Sequence, residues 1–441
     1  MRYVRRVRER LGPDSRHLIR DAPVAFALKV AGAGFTLLLN LVLARQLGPV
    51  GVGMFFLAVG VVTIAAVVGR FGMDHALVRH VASSAAAHDW AAVKGTHNTG
   101  IAVATGSASA VAILTALAAP WLAHHVFDEP DLAGHVRVMA LAIVPFALFV
   151  LYAQSLKGLK RFKASLALQG IWLPSIAAVG VIVLAPSLGV RGAVTAYVVA
   201  CCVTLAIAVL LWRAATPDLR RVRASWNWSR LLTSSVPMFW SSLFQLIVLW
   251  SPTLMLGAWA TSAEVGVFGI ASRIAMLVSF VLVAVNSVTA PRFAAHHATG
   301  NTQALRKVAR DAALVMALVA APPFLVFMVF APQVMALFGA QFSEGASLLQ
   351  IVAVGQYVNV VTGSVGMLLV MTGHESTMRN IMAASAGIIL LLNVILVPLL
   401  GAVGAALAFA LVLIVQNVAA AYYVWRRLGF NPLPLIRARG V

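Results

Sequence analysis

Hydrophobic positions in this chain do not alternate with polar ones. They run in long blocks separated by short polar breaks, at about 23–44, 53–70, 99–119, 136–156, 165–187, 192–212, 231–257, 265–289, 312–331, 345–372, 380–398 and 402–425. About 20 apolar residues in helical form cross the hydrocarbon layer of a bilayer, and each block is roughly 18 to 28 long. The pattern predicts an all-α polytopic membrane protein of about twelve transmembrane helices, numbered here as spans 1 to 12. Composition agrees: 61% of the 441 residues are hydrophobic and 10% are charged, with mean hydropathy +0.93. Soluble domains carry about 25% charged residues, so soluble, disordered and fibrous classes are excluded.

The net charge of +20 would suggest nucleic acid in a soluble protein. Here its distribution gives another reason. If residues 1–22 are placed in the cytoplasm and the chain alternates, the inside segments hold 28 Lys/Arg and 8 Asp/Glu. The outside loops hold Arg45, Arg137 and Arg191 against five acids. Cytoplasmic loops carry such an excess in multi-span proteins, so both termini are expected inside. The positive charge then faces anionic phospholipid, and no nucleic-acid partner is needed. Residues 1–22 lack an apolar signal core and read as a basic arm on the lipid surface. Cys201 and Cys202 are adjacent in span 6, which excludes a disulfide framework. The outer-loop group His124, His125, Asp128, Asp131 and His135 matches no metal-ligand spacing.

The chain repeats itself. Leu188-Gly189-Val190-Arg191-Gly192 corresponds to Leu400-Gly401-Ala402-Val403-Gly404, and Ala119-Pro120 to Ala331-Pro332. Val50-Gly51-Val52 corresponds to Val265-Gly266-Val267, and Gly158 to Gly373. The expected organisation is a basic arm (1–22), a six-helix bundle (23–212), a basic linker (213–230), a second six-helix bundle (231–425) and a basic tail (426–441). An even number of spans per repeat gives both the same topology, related by an axis along the membrane normal. Such pairs commonly enclose a substrate path opened alternately to each side.

A charge within a span costs about 2.5–3.5 kcal/mol on insertion scales and calls for a reason. Two are present, Lys29 in span 1 and Arg273 in span 8, and no acid lies deep in any span. Snorkelling to the surface would explain Lys29 but suits Arg273 less. Two unpaired cations facing a wet path would attract phosphate or carboxylate. The polar residues Asn40, Asn286, Gln356 and Asn359 are further cavity candidates, with helix–helix hydrogen bonding as the alternative reading. No phosphate-binding loop, nucleophile elbow or zinc-protease motif occurs, so neither catalysis nor a cofactor is expected.

The stretch Ala44-Arg45-Gln46-Leu47-Gly48-Pro49, followed by Gly51 and Gly53-Met54-Phe55, resembles the signature of polysaccharide-type flippases of the MOP superfamily. Gly72-Met73-Asp74 and Leu77-Val78-Arg79 resemble the segment ending that family's span 2, and 265–274 its span 8 with a basic residue at Arg273. The resemblance implies two six-helix bundles around a cationic cavity, with Arg45, Gly48, Asp74 and Arg79 as gating or signature positions. It implies a bacterial inner-membrane flippase carrying a polyprenyl-diphosphate-linked oligosaccharide from the cytoplasmic to the outer leaflet. Its partners would be the anionic glycan lipid, anionic phospholipids and the glycan polymerase and chain-length machinery. Related lipid II flippases line the cavity with additional span-1 arginines, where this chain has Lys29. They often carry two more helices after the position of Val441. Both points favour an exopolysaccharide or O-antigen precursor.

Three rival readings remain at this stage. A cation-coupled drug antiporter of the same superfamily would need an intramembrane carboxylate. A glycan polymerase or ligase would need a large outer domain or loop. A major-facilitator sugar transporter would have a short loop after span 2 and a long central linker.

Overall fold

The computed structural model describes residues 13–220, 222–225 and 228–431. The predicted arm therefore falls largely outside the described residues, as do Trp226 of the linker and most of the tail. Among the described residues the chain is all helix, with no strand. Seven helices are long and apolar enough to cross a membrane. Three of them, Val24–Arg70, Phe162–Ala215 and Glu375–Leu428, contain a break at Gly48, Gly189 and Gly401. Two bent pairs, Leu132–Ala140 with Ile143–Gly158 and Ala340–Val361 with Val365–Met371, add two more candidate spans. Counting each broken helix as two crossings gives the expected twelve.

The breaks display the internal repeat. Gly189 has φ 55° and ψ −134°, and Gly401 has φ 55° and ψ −133°. A side chain disfavours positive φ, so glycine takes these turns. Beyond each turn the chain packs back on itself. A Cβ on Gly192 would collide with the Leu184 carbonyl, and one on Gly404 with the Leu396 carbonyl. Gly180 likewise lies against Ala196. Spans 5–6 and spans 11–12 are thus two copies of one helical hairpin. The sharp reversals occur at glycine, whereas Pro252 and Pro322-Pro323 sit inside helices that continue through them.

The halves meet along spans 2, 7 and 8. Leu57 of span 2 fills the space left by Gly257 of span 7, and Gly60 lies against Trp250 and Leu254. Nearer Arg45, Gly53 packs on the Ser262 carbonyl and Gly266 on the Pro49 carbonyl, too close for any Cβ on either glycine. Apolar side chains gain nothing by leaving lipid for one another, so close small-residue contact is what holds membrane helices together. At the other end of span 2, Phe71 stacks on Phe239 of span 7, with centroids 5.2 Å apart. Spans 1 and 8, in contrast, stand apart and leave a cavity.

Candidate functional site: a cationic cavity between spans 1, 5 and 8

Span 8 begins at Thr261, whose hydroxyl accepts a bond from the Glu264 N–H at 3.3 Å and caps the helix Ser262–Ala275. The helix carries Arg273 in its last turn, then tightens into a 3₁₀ turn, Met276–Ser279, before continuing as Phe280–Ala298. Across the cavity, span 5 contains a π-turn, Leu168–Trp172, which holds Gln169 and Gly170. Irregular turns inside helices tend to mark functional positions, and here both face the same space.

That space is about 390 Å³ and takes in Lys29, Asn40, Gln169 and Arg273 among mainly apolar neighbours. Its lining covers residues 28–40 of span 1, about 18 Å of helix at 1.5 Å per residue. A second cavity of about 240 Å³ shares Thr36, Arg273 and Met276 and extends toward Trp250, Thr253 and Phe409. Arg273 therefore stands where the two spaces meet. Among the described residues no carboxylate lines either one.

The arginine is held on three sides. Its Nη1 donates to the Gly269 carbonyl at 3.0 Å. Its guanidinium lies over the Phe56 ring at 3.7 Å and near the Trp250 ring at 5.5 Å. Ring faces attract a cation, by about 0.5–1 kcal/mol when exposed and about 2 or more when desolvated. They offset part of the charge's burial cost while leaving most of its N–H donors unused. Gly269 makes room for this, because a Cβ there would collide with Phe56. Asn40 is buried at 4% exposure, and its Nδ2 donates to the Thr36 carbonyl at 2.8 Å. Span 1 approaches span 5 at Gly32, where a Cβ would sit 3.0 Å from the Gly170 backbone.

The structure thus brings Lys29, Asn40 and Arg273 together. It does not bring Asn286, Gln356 or Asn359 to the same cavity. Asn286 lies beyond Val283, the last lining residue of span 8. Gln356 and Asn359 are on the helix Ala346–Val361, which packs behind span 8 and against spans 9 and 12, and Gln356 is 4% exposed. The Asn286 Oδ1 is buried without a hydrogen-bond partner among the described residues.

The signature positions form ties between elements instead. Gly48 has φ 65° and ψ −178° and ends span 1. Arg45 reaches across to the other half, its Nε and Nη2 donating to the Leu337 carbonyl at 3.0 and 2.8 Å. Ser262 donates to Glu129 Oε1 at 2.8 Å, a second bond between the halves at that end. Asp74 pairs with Arg70 at 2.8 Å, both largely buried where span 2 meets the helix Met73–Ala86. Arg79, on that helix, is exposed. Phe56, Trp250 and Arg70, the ion-pair partner of Asp74, carried no distinguishing signal in the sequence. Aromatic residues are common in spans, and an acid four residues after a basic residue is frequent at helix ends.

Comparison with known proteins agrees with the all-helical fold. Residues 18–297 match the family described as polysaccharide biosynthesis protein, and residues 237–399 match the MatE family. The probable low-salt glycan biosynthesis flippase Agl15 of Haloferax volcanii is 24% identical over 92% of this chain and 83% of its own length. A multidrug resistance MATE family transporter of the MOP superfamily, in an inward-facing conformation, has the same fold, with a TM-score of 0.75. It is 16% identical, with 92% of this chain and 98% of that one covered. The lipid II flippase MurJ, inward closed, follows with a TM-score of 0.70, 13% identity and coverage of 91% and 87%. Since the first of these matches spans well over half of its residues, the chain belongs to the polysaccharide biosynthesis protein family, within the MOP superfamily of membrane transporters and flippases.

Proposed function

We propose that the protein flips a polyprenyl-diphosphate-linked oligosaccharide, an exopolysaccharide or O-antigen precursor, from the cytoplasmic to the outer leaflet by alternating access. The observation that carries this reading is the cavity in which Arg273, Lys29 and Asn40 converge with no lining carboxylate among the described residues. Such a site selects an anion. Each hydroxyl taken into hydrocarbon without a partner costs several kcal/mol. A polar path removes that barrier for the glycan while the lipid tail stays in the bilayer. Lys29 and the free donors of Arg273 would hold the diphosphate. The ties at Arg45 and Glu129 would close the outer end while substrate enters from the cytoplasm, and would break when the path opens outward.

The same reading places both termini and the 213–230 linker in the cytoplasm of a bacterial inner membrane, with a six-helix bundle on either side of the linker. It involves no catalytic step and no cofactor, and expects the polymerase and chain-length machinery as downstream partners. A cation-coupled drug antiporter is the second reading, favoured by the MatE match and the similarity to a multidrug transporter. The lack of a lining carboxylate argues against it. The deciding assay uses vesicles containing the purified protein and a fluorescent polyprenyl-diphosphate oligosaccharide. Appearance of the glycan in the opposite leaflet, absent with Arg273→Ala, is the expected result. Drug efflux without glycan transfer would overturn the proposal.

A further inference from the structure

A second recess lies away from the transport cavity, within the amino-terminal half. It has a volume of about 480 Å³ and is formed by the starts and ends of spans 3, 4 and 6 with the linker. The His97 ring stacks on Trp212 at 4.0 Å, meets Tyr152 edge-on at 4.8 Å, and has Nδ1 2.9 Å from the Ser155 hydroxyl. His97, Trp212 and Thr216 are all buried, so this wall is fixed. Lys94, Asn98 and Arg213 also line it, and among the described residues no carboxylate does. The nearby Asp89 is occupied in capping the span-3 helix, where it accepts from the Ala92 N–H at 2.9 Å. Lys94 also donates to the Val222 carbonyl at 2.8 Å and so ties the linker to the recess. Arg213 is exposed and makes no ion pair or hydrogen bond among the described residues.

A basic, partly aromatic recess at the end of a span, where the predicted topology puts the cytoplasmic surface, suits one ligand chemistry. Arginine and asparagine donors bind phosphate oxygens, and indole and phenol rings sit well at headgroup depth. We propose that this recess is a second anion site, separate from the transport cavity, that takes the phosphate of an anionic ligand at the membrane surface. A phospholipid headgroup and a soluble phosphate share that chemistry. Because Lys94 holds the linker between the halves, an occupied recess would stiffen their connection.

Native mass spectrometry of the full-length protein tests the proposal, with phosphatidylglycerol, phosphatidylcholine and pyrophosphate as probes. Phosphatidylglycerol should be retained in preference to phosphatidylcholine. Arg213→Gln should weaken its binding about tenfold, the usual order for losing one charge-assisted contact. Arg213→Lys should keep most of it. Arg161→Gln, which removes an exposed arginine elsewhere on the same side, should change nothing. If pyrophosphate displaces the lipid, a soluble phosphate also fits the site; if the lipid resists displacement, its headgroup and tails together define the ligand. The proposal fails if Arg213→Gln and Arg161→Gln weaken binding equally, or if neither phosphatidylglycerol nor pyrophosphate binds.

Discussion

In the proposed function Arg273 would work through what surrounds it as well as through its charge. The Phe56 and Trp250 rings fix the guanidinium plane, and the Gly269 carbonyl takes one of its donors. Arg273→Ala should lower the initial flipping rate about 100-fold, as expected for the loss of two charge-assisted contacts. Arg273→Lys should lose about tenfold, since an ammonium keeps the charge but not the planar fork. Phe56→Leu keeps the charge and removes a ring face. A loss of about threefold to tenfold matches the cation–π energy. An unchanged rate with Phe56→Leu would mean that the ring only fills space. Each rate is read in vesicles with equal protein incorporation.

At the scale of the helix, glycine decides where the chain turns and how closely spans cross. Gly189 and Gly401 share one backbone conformation but not one environment. A Cβ on Gly189 would meet open space, while one on Gly401 would press on the Glu264 carboxylate, which accepts from the Ala402 N–H at 3.0 Å. Gly189→Ala should cost about 1–2 kcal/mol for its left-handed backbone alone. Gly401→Ala should cost more and melt at a lower temperature in the same detergent; equal melting temperatures would contradict this. Gly53→Val should instead act on the crossing of spans 2 and 8. The added side chain cannot fit against the Ser262 carbonyl, so the Arg45 end should stay open. A cysteine placed at Ser272 would then react faster with an impermeant reagent added from that side.

For the whole molecule, the proposed function would couple the direction of transport to the membrane potential. A diphosphate of charge −2 moving outward across an inside-negative potential gains about 2.3 kcal/mol per charge per 100 mV, about 4.6 kcal/mol in all if it crosses the full field. Collapse of the potential should slow outward flipping. If Lys29 and Arg273, on opposite sides of one cavity, hold the same anion, their alanine variants should combine non-additively. Simple additivity together with indifference to the potential would mean that the cavity selects sugar rather than phosphate. Reporter fusions at Gly134 and Val441 should report opposite sides of the membrane.

Span number and the internal repeat were legible in the sequence because each is a one-dimensional property. Apolar length sets the number of crossings, and paired glycines such as Gly189 and Gly401 mark equivalent turns. Lys29 and Arg273 stood out for the same reason: a charge in an apolar run is visible without knowing its neighbours. Which face of each span points inward was not legible. Lipid tails and helix interiors are equally apolar, so a membrane helix lacks the polar stripe that marks the outer side of a soluble one. Only tertiary packing set Asn40 on the cavity and placed Gln356 behind it. It was also packing that laid Phe56 and Trp250 on Arg273, and that joined His97, Tyr152 and Arg213, from three distant helices of the chain, into one recess.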